Sequence, residues 1–418
     1  MKSYIIKMAN LERKRQNRTI NLIASENYCP KTVRKLVGSV LTNKYAEGQP
    51  HNRYYSGCRV VDGIEDSAKL GACCLFGANF ANVQPHSGSQ ANAAAYKALS
   101  DYLRSTGEIK GRQKMKILAL ELKAGGHLTH GSKMSFSSDL YNFSYYTLND
   151  DGLVDIQLIE KQIVMDKPHV LLVGFSAYPH IIDLEAIKYV TDKHQIRLMV
   201  DMSHFAGLVA AGLHPNPCQY ADIVTSTTHK TLRGPRGAII LTNNKDLAKY
   251  VDKAVFPYYQ GGPMMNVIAA KCECFRLAMM PKFRLYAAKI VRNTLVFGKT
   301  LTDLGATVKS GLVHMCLLDT KTSYGLTGRE AQERLEFINI TTNRNLLPND
   351  TEKPSVTSGL RIGFAAVTTR GCTKRLAEKI AALVHTALSL SNEDFGKKDI
   401  TDYLRKEAIK ITKKLHRV

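Results

Sequence analysis

An acid and a lysine close two successive apolar runs in this chain. Asp201 ends "IRLMVDM" (196–202), and Lys230 follows "ADIVTS" (221–226) inside "TSTTHKTLRGPRG" (225–237). Taken alone, an acid at such a place caps a helix more often than it does chemistry. The lysine, however, comes 29 residues later. That is about one βαβ unit, so both side chains converge on one rim of a parallel sheet. A lysine and a carboxylate so placed suit a pyridoxal phosphate site. The lysine forms a Schiff base with the cofactor aldehyde, and the acid keeps the pyridinium nitrogen protonated, which makes the ring an electron sink. Burial and nearby positive charge lower the amine's pKa and favour its reactive neutral form.

A cofactor phosphate needs a cradle. "VQPHSGSQAN" (83–92) offers Ser87, Gly88 and Ser89 ahead of a helix beginning near Gln90. Backbone N–H groups at a helix start and two hydroxyls suit a phosphate, although a capped loop is the commoner use of such a turn. "QGGP" (260–263) is a second glycine turn of the same ambiguity. In "AGGHLTHG" (124–131), His127 is either a ring-stacking partner or a surface-loop histidine. Arg361, within the apolar "SGLRIGF" (358–364), is either paired to an acid or reserved for a carboxylate ligand. Tyr45, Glu47, Tyr54 and Tyr55 of "LTNKYAEGQPHNRYYSG" (41–57) are too polar for a core strand. They form a surface loop or a segment that crosses into a neighbouring subunit's site.

The elements that must position these groups follow from the apolar runs. "MKILAL" (115–120), "HVLLVGF" (169–175), "IRLMVDM", "ADIVTS" and "GAIILT" (237–242) read as buried strands, with helical periodicity between them. The expected fold class is therefore α/β, with a largely parallel sheet covered by helices on both faces. Ligands of such sheets sit beyond the carboxyl ends of the strands, where Asp201 and Lys230 fall. From about residue 280, helices alternate with short strands and end in a basic amphipathic helix. The expected organisation is an N-terminal arm (1–30), a large α/β domain (31–280) and a smaller α+β domain (281–418).

Composition narrows the function classes. The chain has 418 residues, 44% hydrophobic and 22% charged, as in an ordinary globular protein. Its apolar runs are too short to span a bilayer, and the basic N-terminus lacks the apolar segment of a secretory signal. The cytoplasm is the expected location. Nine cysteines without a C-x-x-C pair argue for reduced thiols, and no metal site is expected. The net charge is +22, with residues 1–18 and 396–418 each contributing +5 and residues 104–116 contributing +4. Such charge attracts anionic substrates. No base-reading module accompanies it, so nucleic acid is not an expected partner.

Taken in order, the motifs resemble the serine hydroxymethyltransferase family of fold-type I pyridoxal-phosphate enzymes. They are "LIASENY" (22–28), "LTNKYAEG" (41–48), "RYYSG" (53–57), "VQPHSGSQAN", "GGHLTHG", "FSAYP" (175–179), "VDMSHFAGLVAAG" (200–212), "TTHKTLRGPRG" (227–237), "QGGP", "PND" (348–350) and "SGLRIG" (358–363). The resemblance implies transfer of the serine hydroxymethyl carbon to tetrahydrofolate, leaving glycine, in a homodimer with shared active sites and a seven-stranded type of sheet. It makes Lys230 the Schiff-base lysine, Asp201 the partner of the pyridinium nitrogen and His204 the residue on the ring's phenolic side. His127 would stack on the ring, Thr227 would align the substrate adduct, and Ser176 would lie near the cofactor. Ser87, Gly88, Ser89 and His229 would bind the phosphate, joined by Gly262 of a neighbouring copy. Arg236 would support the lysine strand. Arg361 would bind the substrate carboxylate with help from Ser25. Glu47 would act as acid and base near the serine hydroxyl, with Tyr45 and Tyr54 completing the shared site. Leu122, Gly126, Leu128 and Asn345 would line the folate pocket.

The chain also departs from the pattern. Phe364-Ala365 replaces the usual Thr-Pro, so a bulky ring is expected to press on the contacts around Arg361. A Tyr258-Tyr259 pair stands where small residues are common, and 101–116 reads as a basic insert. A related aldolase or racemase on the same cofactor, and a nucleic-acid-binding protein using the basic surface, are the competing readings. Dependence on folate separates the first, and steeply salt-dependent RNA binding the second.

Overall fold

The computed structural model describes residues 3–348 and 350–418. Asn349 of the "PND" motif and the first two residues of the N-terminal arm lie outside the described residues. The chain divides into two compact units, one of Cys29–Ser176 and Ile182–Arg284, the other of Met1–Tyr28, Ala177–Ile181 and Leu285–Val418.

The larger unit is built on a seven-stranded sheet. Its strands are β1 (Phe80–Asn82), β2 (Lys116–Leu120), β3 (Asn142–Tyr146), β4 (Val170–Val173), β5 (Arg197–Asp201), β6 (Ile223–Thr227) and β7 (Ala238–Thr242), in the spatial order β1-β7-β6-β5-β4-β2-β3. β2 to β6 pair in parallel, and β7 runs antiparallel to both β6 and β1. The expected mostly parallel sheet is therefore present. Its strands read as continuous apolar runs because both faces are covered. Ile117, Val170, Leu172, Met199 and Ile223 point into one core cluster, and their neighbours Leu118, Leu171, Leu198 and Val224 are equally buried.

Helix α1 (Arg59–Phe76) precedes β1, and α2 (Gly88–Ser105) follows it. Ala91, Ala94, Ala95, Ala98 and Leu99 of α2 join the same core cluster, their small side chains letting the helix lie close to the sheet. The helix starts two residues earlier than the sequence suggests, because the Ser87 hydroxyl caps it, accepting from Gln90 N at 3.3 Å. A further helix, α3 (Met265–Ala278), carries an almost wholly buried apolar face.

In the smaller unit, β8 (Val308–Ser310), β9 (Met315–Asp319), β10 (Asn343–Asn345) and β11 (Gly359–Gly363) form an antiparallel sheet in the order β8-β9-β11-β10. Ile20–Asn21 of the N-terminal segment pairs in parallel with Ile340–Thr341. The C-terminal helix α4 (Lys398–Thr412) buries Thr401, Leu404, Ala408 and Ile411, the i, i+3, i+4 stripe of an amphipathic helix. Phe364, expected to crowd Arg361, instead has its ring fully buried against Phe297, with ring centroids 5.1 Å apart. The substitution is absorbed by the core of this unit. No helix among the described residues is long and apolar enough to cross a membrane.

Candidate active site

Every strand of the parallel set that matters for chemistry delivers its polar residues at the carboxyl end. β5 ends at Asp201, which pairs in register with Thr225 of β6. Two and three residues beyond Thr227, at the end of β6, come His229 and Lys230. β2 leads to the loop with Gly126 and His127, β4 to Ser176, and β1 to Ser87.

Asp201 is buried, at 7% exposure, and both of its oxygens accept hydrogen bonds. Oδ1 accepts from the Ser203 backbone N at 3.0 Å and from Ser203 Oγ at 2.5 Å. Oδ2 accepts from Asn92 Nδ2 at 2.9 Å and from His130 Nε2 at 3.3 Å. Burial by itself raises the carboxyl pKa. The His130 hydrogen bond and the charges of His130, Lys230 and His127 outweigh it and hold the group well below the usual carboxylate range. The result is a permanently ionised carboxylate inside the protein, suited to a cationic nitrogen. The capping alternative fails, because the acid's acceptors serve side chains from α2 and from the loop after β2 as well as its own turn.

The donors around Asp201 are themselves fixed. Asn92, on the second turn of α2, also donates to Thr129 Oγ1 at 2.9 Å and accepts from Thr225 Oγ1 at 2.7 Å. Thr129 in turn sets His127. Its backbone N donates to His127 Nδ1 at 3.2 Å and its hydroxyl lies 2.7 Å from the same nitrogen. The two contacts together lock the ring plane. Ser203 Oγ accepts from Thr227 N at 2.9 Å, tying β6 to the Asp201 turn. His204, 5% exposed, follows directly, its carbonyl accepting from Thr231 Oγ1 at 2.8 Å.

Lys230 is 9% exposed. Beside it, His229 is pushed down to about 3 by burial and by the charges of Lys230 and Arg236, so it is neutral at physiological pH. Arg236 donates toward His229 Nε2 at 3.3 Å, while its own side chain is exposed. The start of α2 comes close to this strand end. A Cβ on Gly88 would fall 2.6 Å from Thr227 Cγ2, so only glycine lets the Ser87–Ser89 turn reach it. Gln260 of "QGGP" braces the turn, its Oε1 accepting from His86 N at 3.0 Å and its Nε2 donating to Gln84 O at 3.1 Å. Ser176 is held through its backbone N by Gly125 O at 2.8 Å.

A second group gathers Tyr45, Glu47, Tyr54 and Gly262. A Cβ on Gly262 would lie 3.0 Å from Tyr45 Cζ, and one on Gly261 3.0 Å from Glu47 Oε1. Arg53 anchors this segment from below. It bonds Asp62 at 2.8 Å and Glu65 at 2.7 Å on α1, and its Nη1 donates to the carbonyls of Ala46 and Gly48 on either side of Glu47. The three charged side chains are 3%, 9% and 1% exposed. Removing one partner from such a cluster strands buried charge. Arg53→Ala is therefore expected to lower unfolding free energy by about 3–5 kcal/mol, read by denaturant titration.

The remaining expected residues are placed as follows. Leu122, Gly126 and Leu128 sit on the loop after β2, with the two leucines 36% and 48% exposed. Tyr259 packs against the large unit's core, and Lys97 Nζ stands 4.6 Å from the Tyr258 ring. In the smaller unit, Arg361 on β11 is 9% exposed and donates to Asn343 Oδ1 at 3.2 Å. Burial lowers its guanidinium to about 10, still charged at neutral pH. Ser25 lies in a half-buried turn, and Asn345 turns its amide to Leu346 O at 2.6 Å. Sequence reasoning did not single out Asn92, His130, Ser203, Gln260 or Arg53. All five lay within or beside quoted motifs, and the only signal was a polar residue at a strand or helix end.

This donor set fits pyridoxal phosphate: a buried ionised acid for the ring nitrogen, a buried lysine at the next strand end, and a hydroxyl-bearing helix start for the phosphate. The comparisons agree. The family model described as serine hydroxymethyltransferase matches residues 2–384. A serine hydroxymethyltransferase of Metamycoplasma arthritidis is 45% identical over 410 residues, covering 98% of this chain and 94% of its own length. Those of Mycoplasmopsis synoviae (44%, covering 98% and 96%) and Leuconostoc citreum (49%, covering 90% and 89%) are similar to the same extent. With the motifs in order and the site geometry in place, the chain belongs to the serine hydroxymethyltransferase family.

Proposed function

We propose how this chain carries out its family's reaction, the reversible transfer of the serine hydroxymethyl carbon to tetrahydrofolate with formation of glycine. The family uses pyridoxal 5'-phosphate as cofactor and tetrahydrofolate as co-substrate. The observation that carries the reading is the Asp201 network beside Lys230. When bound, the cofactor supplies an electron sink for the Cα–Cβ bond that breaks. Lys230 holds its aldehyde carbon. Asp201, kept ionised, would hold the protonated ring nitrogen, His127 would bind the ring and His204 its phenolic oxygen. Ser87, Gly88, Ser89 and His229 hold the phosphate, while Thr227, Ser176 and Arg236 support the adjoining strand ends.

Arg361, with Ser25, takes the substrate carboxylate as a bidentate ligand. Glu47 moves the proton at the serine hydroxyl oxygen. Leu122, Gly126, Leu128 and Asn345 line the folate pocket. Tyr45, Tyr54, Glu47 and Gly262 serve the site of a second copy in a homodimer. The exposure of Tyr45 (54%) and Tyr54 (77%) in the single chain supports that assignment, since aromatic side chains are enriched where partners cover them. The working place of the dimer is the cytoplasm. Purified protein converts serine to glycine faster when tetrahydrofolate is added. An unchanged rate would leave only the aldolase or racemase reading.

A further inference from the structure

Lys271 lies in the middle of the apolar face of α3, between Ala270 and Cys274, is 1% exposed, and has its amine lowered to about 7 by burial. A buried ammonium is tolerated only when its protons are satisfied. Here all three are. Nζ donates to Val83 O at 2.6 Å, Pro85 O at 3.0 Å and Ala238 O at 2.8 Å. These carbonyls belong to two particular segments. Val83 and Pro85 lie on the run that leaves β1 and ends at Ser87, the cap of α2. Ala238 opens β7, and its own N also donates to Pro85 O at 3.0 Å. The neighbouring Gly237 O accepts from Thr228 N at 3.0 Å, two residues before Lys230.

The fit around Lys271 is close. A Cβ on Gly237, whose φ is +154°, would come within 2.6 Å of Lys271 Cε. Gln260 holds the same run from another side through His86 N and Gln84 O. Val83 and Pro85 lie beyond the end of β1, Pro85 O also accepting from Ala238 N, and an apolar side chain could not replace the Lys271 donors. The ammonium therefore sets the path by which the chain arrives at Ser87.

We propose that Lys271 is a positioning residue for the phosphate cradle, fixing the backbone of Val83–Ser87 so that the Ser87–Ser89 turn presents its N–H groups and hydroxyls to the cofactor phosphate. This rests on the reading of that turn as the phosphate site. Lys271 touches neither cofactor nor substrate, and it acts through the three carbonyls.

The test compares apo-protein binding of pyridoxal 5'-phosphate with binding of pyridoxal, which lacks the phosphate, each titrated by absorbance. Wild type prefers the phosphorylated form. In Lys271→Met, the affinity for pyridoxal 5'-phosphate falls about 10- to 100-fold, while that for pyridoxal stays within about threefold of wild type, so the preference collapses. General destabilisation would weaken both ligands together and leave the preference intact, and that result overturns the proposal. If Lys271→Met does not fold, Lys271→Gln, whose amide is one atom shorter and leaves at least one of the three carbonyls without its donor, is measured in the same way; a smaller loss of preference is expected there, and an undiminished preference overturns the proposal too. A wild type with no preference for the phosphorylated form would instead remove the cradle reading, and the proposal with it.

Discussion

Lys230→Ala is expected to bind pyridoxal phosphate without the visible absorbance band of a lysine-bound cofactor, and to lose serine turnover by on the order of 10^4-fold. The argument begins with burial. Lys230 is 9% exposed, and its charge helps to hold both Asp201 and His229 below their ordinary values. Two of the proposed holding groups, Asp201 on β5 and the Ser87–Ser89 turn at the start of α2, are untouched by the substitution. Uptake of the cofactor should persist while the covalent link is lost. A band that survives in the variant would assign the link to another amine. The other buried lysine described above, Lys271, has its three donors committed to backbone carbonyls.

The contrast between those two lysines shows what the sequence makes legible. Lys230 follows an apolar strand, where a polar residue stands out and the topology gives it a meaning. Lys271 sits at a helical spacing that reads as one charged position on an amphipathic helix, and its partners are 33 to 188 residues away. Asn92 and His130 were hidden for the same reason. Their bonds to Asp201 span 109 and 71 residues, and no local pattern encodes such a pairing. β2, β4, β5 and β6 were legible because burial on both faces writes a continuous apolar run, whereas the edge strand β3, with one buried residue in five, was not. β1 was not, since three residues carry no periodicity, and neither was the pairing of Ile20–Asn21 with Ile340–Thr341. Phe364 misled because chain proximity to Arg361 says nothing about direction. In the fold its ring turns to Phe297.

Asp201→Asn tests the network itself. An amide fits the space of the carboxylate but not its bonding. Oδ2 now accepts from two donors, Asn92 Nδ2 and His130 Nε2, and Oδ1 from two more on Ser203. Whichever way the new amide turns, its NH2 faces donors. His130 can relieve its contact by changing tautomer, whereas Asn92 is held by Thr129 and Thr225. The cofactor nitrogen also loses the charge that keeps it protonated. The expected loss in kcat is about 10^2- to 10^4-fold, the range seen when a charge or donor is removed with geometry kept. Asp201→Glu, which keeps the charge but displaces it, should lose less. The pH profile gives an independent check. The folded-state carboxyl is depressed below its ordinary 3.8. Its contribution to stability is thus present above that value and is lost only as pH falls below it, toward the depressed one. Between pH 5 and 9 wild-type activity should therefore carry no acid limb from Asp201. An acid limb in that window that vanishes in Asp201→Asn, or a variant within tenfold of wild type, would mean that the ionised acid is not what holds the ring nitrogen.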